Sequence, residues 1–194
     1  MSKKIERGRK MEILIGIVII IILLAVSAVV SYNGFVKLRN QIEEAFSTMD
    51  IYLKKRYEMI PNLVEIVKQY SIHEKETLEK IVQARSMAIN ARSVEERGQN
   101  ENMLSGALSS LFAISEGYPE LKANENYLDL QNQLVVLEDD ISQSRKYYNG
   151  VVKVMNNKVE IFPSNLFAKI FGFNRYPYFM VDEYERQNVE IRFN

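Results

Sequence analysis

Cysteine and tryptophan are absent from the chain, histidine occurs once, proline four times, and the eight glycines are dispersed. Without cysteine there can be no disulfide, thiolate nucleophile or thiolate metal site, and the redox state of the compartment leaves no mark on the sequence. The lone His73 would have to carry any Ser-His-Asp arrangement alone, and no Gly-x-Ser-x-Gly elbow presents a nucleophile. His73-Glu74-Lys75-Glu76-Thr77 begins like a zinc-protease helix, but Thr77 stands where the second histidine is required. No Glu-x-x-His occurs, which removes the ferritin-like di-iron pattern, and no glycine-rich phosphate loop is present. The paired acids Glu43-Glu44, Glu95-Glu96 and Asp139-Asp140 are helix neighbours that point to different faces, and they read as solvated surface. The sequence therefore predicts no catalytic residue, no metal and no cofactor.

An excess of one charge is also missing. The chain has 25 basic and 25 acidic residues; five of the former and two of the latter precede Ser31, leaving a remainder with 20 basic against 23 acidic residues. A mildly acidic body lacks the cationic field that phosphate backbones demand, so nucleic acid is excluded as a partner.

What the chain does have is one long apolar run. Residues 13–30 carry no charge and, as a helix, are long enough to cross the hydrocarbon core of a bilayer. We expect a basic N-terminal flank at 1–10, a transmembrane anchor at 11–31 embedded in membrane lipid, and a water-soluble domain at 32–194. Lys3, Lys4, Arg7, Arg9 and Lys10 against Glu6 and Glu12 favour a cytoplasmic N-terminus with the domain outside. Lys37 and Arg39 on the other flank keep the reverse orientation open. Small residues at Val26-Ser27-Ala28 permit a cleavable signal peptide, whereas the length of the run favours a retained anchor.

Beyond the anchor, Phe35, Leu38, Ile42, Ala45, Met49, Tyr52 and Ile60 recur at helical spacing. Pro61 either opens a new helix or interrupts a continuing one. Val64, Val67, Leu78, Ile81 and Ala88 keep the period, and Ser71-Ile72-His73-Glu74 has the form of a capping box, which suggests a restart there. The polar stretch Asn90–Asn102 predicts a loop. A helix marked by Met103, Leu104, Ala107, Leu108, Leu111, Phe112, Ile114 and Ser115 follows it and ends at Gly117-Tyr118-Pro119. From about Asn124 to Phe162, Tyr127, Leu134, Ile141, Tyr148, Met155 and Phe162 stand seven apart, with Leu130, Leu137 and Val151 beside them. Such a seam needs antiparallel partners of similar length. The predicted class is all-α: an antiparallel up-and-down bundle of four main long helices after one N-terminal transmembrane helix, with an aromatic C-terminal tail. The aromatic residues from Phe167 to Phe193 predict a tail that packs along its own bundle, the alternative being one that awaits a partner.

Several strings resemble the LemA family: Tyr32-Asn33-Gly34-Phe35-Val36-Lys37-Leu38-Arg39-Asn40, Lys55-Arg56-Tyr57-Glu58-Met59-Ile60-Pro61-Asn62-Leu63-Val64 and Ala84-Arg85-Ser86. Tyr118-Pro119-Glu120-Leu121-Lys122-Ala123-Asn124-Glu125-Asn126, Ser144-Arg145-Lys146-Tyr147-Tyr148-Asn149 and Phe162-Pro163-Ser164-Asn165 follow in the family's order. The resemblance implies a membrane-anchored helical bundle of bacteria and brings no reaction or catalytic residues with it. The tail beyond Phe179 is longer and more charged than the family pattern.

Within those strings Arg39, Asn40, Asp50, Arg56, Asn62, Arg85, Asn126, Arg145 and Asn149 lie on or beside the apolar seams. Buried arginines would require carboxylate or carbonyl partners, since an unpaired buried charge costs several kcal/mol. These residues are candidates either for fixing helix register or for lining a polar interaction groove. The functional expectation is a protein-interaction or scaffold module at the cell envelope, without catalysis, acting on an unidentified protein partner. The alternatives are an envelope enzyme with a carboxylate, Arg and Tyr interhelical site, and a membrane-surface remodelling protein.

Overall fold

A computed structural model describes residues 2–70 and 74–179, with side chains from residue 11 onward. Six helices appear in the order α1 (Ser2–Tyr70), α2 (Lys75–Ile89), α3 (Val94–Ser115), α4 (Pro119–Lys122), α5 (Glu125–Glu160) and α6 (Ser164–Phe171), and no strand occurs among the described residues. The fold is all-α and forms a helical bundle. Among the described residues one helix, near the N-terminus, is long and apolar enough to cross a membrane, and none of its apolar segment is buried.

The chain divides into two compact units, one of Met1–Gln41 with Lys153–Tyr176 and the other of Ile42–Val152 with Pro177–Asn194. In the larger unit α1 buries Ile42, Ala45, Met49, Leu53, Ile60, Leu63, Val64 and Val67, a three-and-four spacing that keeps one face inward. Leu78, Ile81 and Ala88 of α2 meet Leu104, Leu108 and Leu111 of α3 in the same core. The seam of α5 is buried at Tyr127, Leu134, Leu137, Ile141 and Tyr148. In the smaller unit Phe35 and Met155 are buried, and Phe173 stacks on Phe35 with ring centroids 4.7 Å apart.

The α1 helix runs unbroken through Pro61. Proline has no N–H, so the carbonyl four residues earlier, that of Tyr57, loses its helical donor. Arg85 of α2 replaces it, donating from Nε to the Tyr57 carbonyl at 2.7 Å. The capping box expected at Ser71 lies outside the described residues, although Glu74 is placed and accepts a hydrogen bond from the Tyr118 hydroxyl at 3.0 Å.

Three expectations need correction. The Asn90–Asn102 stretch is not a loop: Ser93 caps α3, accepting from the Glu96 N–H at 3.1 Å, and helix begins at Val94. Its polarity reflects the contents of a buried helix face, because Gly98, Asn100 and Glu101 are buried. Phe162 does not extend the α5 seam; the helix ends at Glu160 and Phe162 is 74% exposed. Met103, predicted apolar-side, is exposed, and Tyr52 is only partly buried, because Leu53 and Leu104 take the inward positions.

After α5 the chain turns through α6, which Gly172 ends at φ 74°, a left-handed conformation that glycine adopts without steric cost. The expected packing of the tail on its own helices holds for the described part, up to the buried Phe179; residues 180–194 lie outside the described residues.

Candidate functional site

Arg97, Glu101 and Ser105 follow one another at four-residue intervals and so share one face of α3. Arg56 and Tyr57 come from α1, and Glu138 from α5. These side chains converge in the larger unit. The Arg56 guanidinium, fully buried, donates to Glu101 and to Glu138, and to the Ser105 hydroxyl at 2.9 Å. Ser105 in turn donates to Glu138 at 3.0 Å, and the Tyr57 hydroxyl donates to the other oxygen of Glu101. Burial lowers the basicity of Arg56 while Glu138 opposes the change; burial also raises the Tyr57 hydroxyl above its ordinary value, against the pull of Arg97 and Arg56. The Glu101 side chain is wholly buried, whereas that of Glu138 is 42% exposed, so the network reaches water at its α5 edge.

Charges flank this centre. Arg97 pairs with Asp50 at 2.8 Å and lies over the Phe46 ring, 5.7 Å from its centroid. Arg145 donates to the Asn102 side-chain carbonyl at 3.2 Å and covers the Phe179 ring at 5.3 Å.

A second constellation holds the tail. In the larger unit the Asn149 amide donates to the Phe179 carbonyl at 2.9 Å and accepts from the Phe179 N–H at 2.8 Å. In the smaller unit Asn156 does the same with Tyr176, at 2.9 and 2.8 Å. Each side-chain amide thus imitates a strand neighbour and satisfies an extended backbone that has no sheet to join. The Tyr148 hydroxyl adds a hydrogen bond to the Pro177 carbonyl at 3.0 Å.

The nine residues singled out from sequence separate accordingly. Arg56, Arg85, Arg145, Asp50 and Asn149 enter the arrangements above. Arg39, Asn40, Asn62 and Asn126 are exposed and join neither, so Arg39 needs no internal partner. Sequence reasoning missed Tyr57, Glu101, Ser105, Glu138 and Asn156. The four-residue spacing of Arg97, Glu101 and Ser105 was a usable signal, and so was the seven-residue step from Asn149 to Asn156.

These hydrogen bonds tie α1, α3 and α5 to one another, while the buried Nε of Arg56 has no hydrogen-bond partner among the described residues. The cluster's carboxylates do not line any of three surface cavities of the larger unit, of which the largest, about 830 Å³, lies between α1 and α2. That groove is floored by Val64, Leu78, Val82 and Met87 and rimmed by Lys68, Lys75 and Glu79. Among the described residues no three metal-ligating side chains converge.

The pattern of the LemA family matches residues 45–193. Protein LemA of Metamycoplasma hominis is 29% identical over 163 residues, 81% of this chain and 73% of that protein. Magnetosome protein MamQ 2 of Paramagnetospirillum magneticum and magnetosome protein MamQ of Magnetospirillum gryphiswaldense are each 21% identical over 203 residues, 91% of this chain and 75% of theirs. The match spans the helices that build both the polar cluster and the tail clasp, and the chain belongs to the LemA family.

Proposed function

We propose that residues 11–31 anchor the protein in a membrane at the cell envelope, with the N-terminus cytoplasmic and the helical body outside. The body then serves as a non-catalytic module that holds another protein. The observation that carries this reading is the α1/α2 groove, with an apolar floor and a charged rim on a pair of helices fixed by the Arg85 hydrogen bond. A surface of that form fits the apolar face of an amphipathic helix, with the rim charges setting its register. The self-contained polar cluster supports the same view, since its role is met within the bundle.

A photoreactive residue at Met87, placed in the full-length protein in cells, tests the proposal. The expected result is one reproducible protein adduct that disappears when Val82→Asp is added on the groove floor. Absence of an adduct, or one that Val82→Asp leaves untouched, would refute it.

A further inference from the structure

The smaller unit carries a set of features that the interaction reading leaves unused. In both units α5 runs antiparallel to α1, and each step forward along one is matched by a step back along the other. Within the larger unit Tyr70 bonds with Asn124, Arg56 pairs with Glu138, and the ring of Phe46 meets Tyr148. Within the smaller unit Lys158 lies over the Phe35 ring, 4.8 Å from its centroid. Lys158 stands two residues before α5 ends at Glu160, and Phe162 lies in the turn that follows. The C-terminal end of α6 lies beside the end of the apolar run, because Phe171 packs edge-on against Tyr32 with centroids 5.1 Å apart and Phe173 lies 5.9 Å from the same ring. That end of α6 is thus held where the apolar run of α1 stops.

At that level the unit turns apolar side chains away from itself. Leu166 and Ile170 are one turn apart on one face of α6, and Phe162 lies in the turn that precedes the helix; Phe162 and Ile170 are 74% and 72% exposed, and Ile161 and Leu166 are also exposed. Those values equal or exceed the exposure of the apolar run itself, whose solvent is lipid on the anchor reading. The charge agrees. Beyond the run, the smaller unit contains Lys37, Arg39, Lys153, Lys158, Lys169 and Arg175 against the single acid Glu160. A basic unit with an apolar stripe at the end of an apolar helix has the chemistry of an anionic bilayer surface.

We infer that α6 and the turn before it form a second membrane contact, in which Phe162, Leu166 and Ile170 enter the boundary between headgroups and acyl chains of the bilayer that holds the anchor. The inference rests on the anchor reading. With α6 seated, the first turns of α1 beyond the bilayer and the last turns of α5 are fastened to the surface at two points rather than one, which restrains tilting of the unit on its stalk.

The absence of native cysteine makes the test direct. Full-length protein carrying Phe162→Cys, Leu166→Cys or Ile170→Cys is labelled with an environment-sensitive fluorophore and reconstituted into phosphatidylcholine and phosphatidylglycerol vesicles. Ile20→Cys in the run and Gln99→Cys in the larger unit serve as references. The expected result is blue-shifted emission at 162, 166 and 170, quenched most by lipids bearing a nitroxide near the headgroup. Ile20→Cys should be quenched most by nitroxide deep in the acyl chain, and Gln99→Cys only by aqueous iodide. Iodide quenching at 162 and 170 with lipid quenching at 20 would overturn the inference and leave the anchor standing. Loss of lipid quenching at 20 as well would remove both. A blue shift at 162 and 170 that neither quencher touches would mean protein covers the stripe, and would also overturn the inference.

Discussion

Replacing Arg56 by alanine removes the only cation among the described residues that donates directly to the buried Glu101, together with its hydrogen bonds to Glu138 and Ser105. Glu101 keeps the Tyr57 hydroxyl, a neutral donor, and remains without access to water. Breaking one side of a buried ion pair costs about 3–5 kcal/mol, because the surviving charge stays desolvated. That is a large fraction of the roughly 5–15 kcal/mol that holds a typical domain together. The half-exposed partner behaves otherwise: Glu138→Gln keeps an acceptor at a site water can reach, and about 1 kcal/mol or less is expected. Removing both buried charges, Arg56→Met with Glu101→Leu, leaves no uncompensated ion in the interior and only the water-accessible Glu138 without its cation, so the double variant should be more stable than Arg56→Ala by at least about 2 kcal/mol. Urea unfolding of the full-length protein in detergent, followed by far-ultraviolet circular dichroism, gives each value by linear extrapolation. If the double variant lost as much as the sum of the two single changes, the cluster would not be a coupled unit and the argument would fail.

Four further outcomes follow from the same geometry. Arg85→Ala strands the Tyr57 carbonyl and should cost about 1–3 kcal/mol, less in a Pro61→Ala background where the helix N–H is restored; equal costs in both backgrounds would refute the pairing. Asn149→Ala and Asn156→Ala each lose two backbone hydrogen bonds, about 1–3 kcal/mol apiece, and together should speed trypsin cleavage after the exposed Arg175; an unchanged cleavage rate would contradict the clasp. Burial raises the Tyr57 hydroxyl, so above the ordinary tyrosine value the unfolded chain loses its proton first. Stability should therefore be intact below about pH 10 and fall above it by up to about 1.4 kcal/mol per pH unit from this group. Tyr57→Phe should reduce that slope, with the remainder carried by Tyr127, which burial shifts the same way; a slope identical to the parent's would count against it.

Helical class could be read from the chain because periodicity is local. The spacing of Val64, Val67, Leu78 and Ile81 marks an inward face whatever the neighbour is, and all four are buried. The α5 seam was visible for the same reason up to Met155. It failed at Phe162, since sequence alone did not show that the helix would stop two residues earlier. The α3 start was misread because polar composition was taken as solvent exposure, when Glu101 and Asn100 are polar residues supplied to a buried face. Among the arginines, local pattern made Arg39 and Arg56 equivalent, and only the fold separates them.

The sequence by itself determined the apolar run, the helix periods and the exclusion of cysteine chemistry, all properties of residue type and short spacing. The tertiary structure decided which charges are interior. Arg56 meets Glu101 45 residues away and Glu138 82 residues away, so its burial depends on three helices arriving in one register. The course of the chain at Pro61 was settled in the same manner. A proline's missing donor is a local fact, but whether the helix survives it depended on Arg85, 28 residues from Tyr57, reaching the stranded carbonyl. Desolvation makes such pairings obligatory once the helices pack, and no local pattern encodes where the partner will stand.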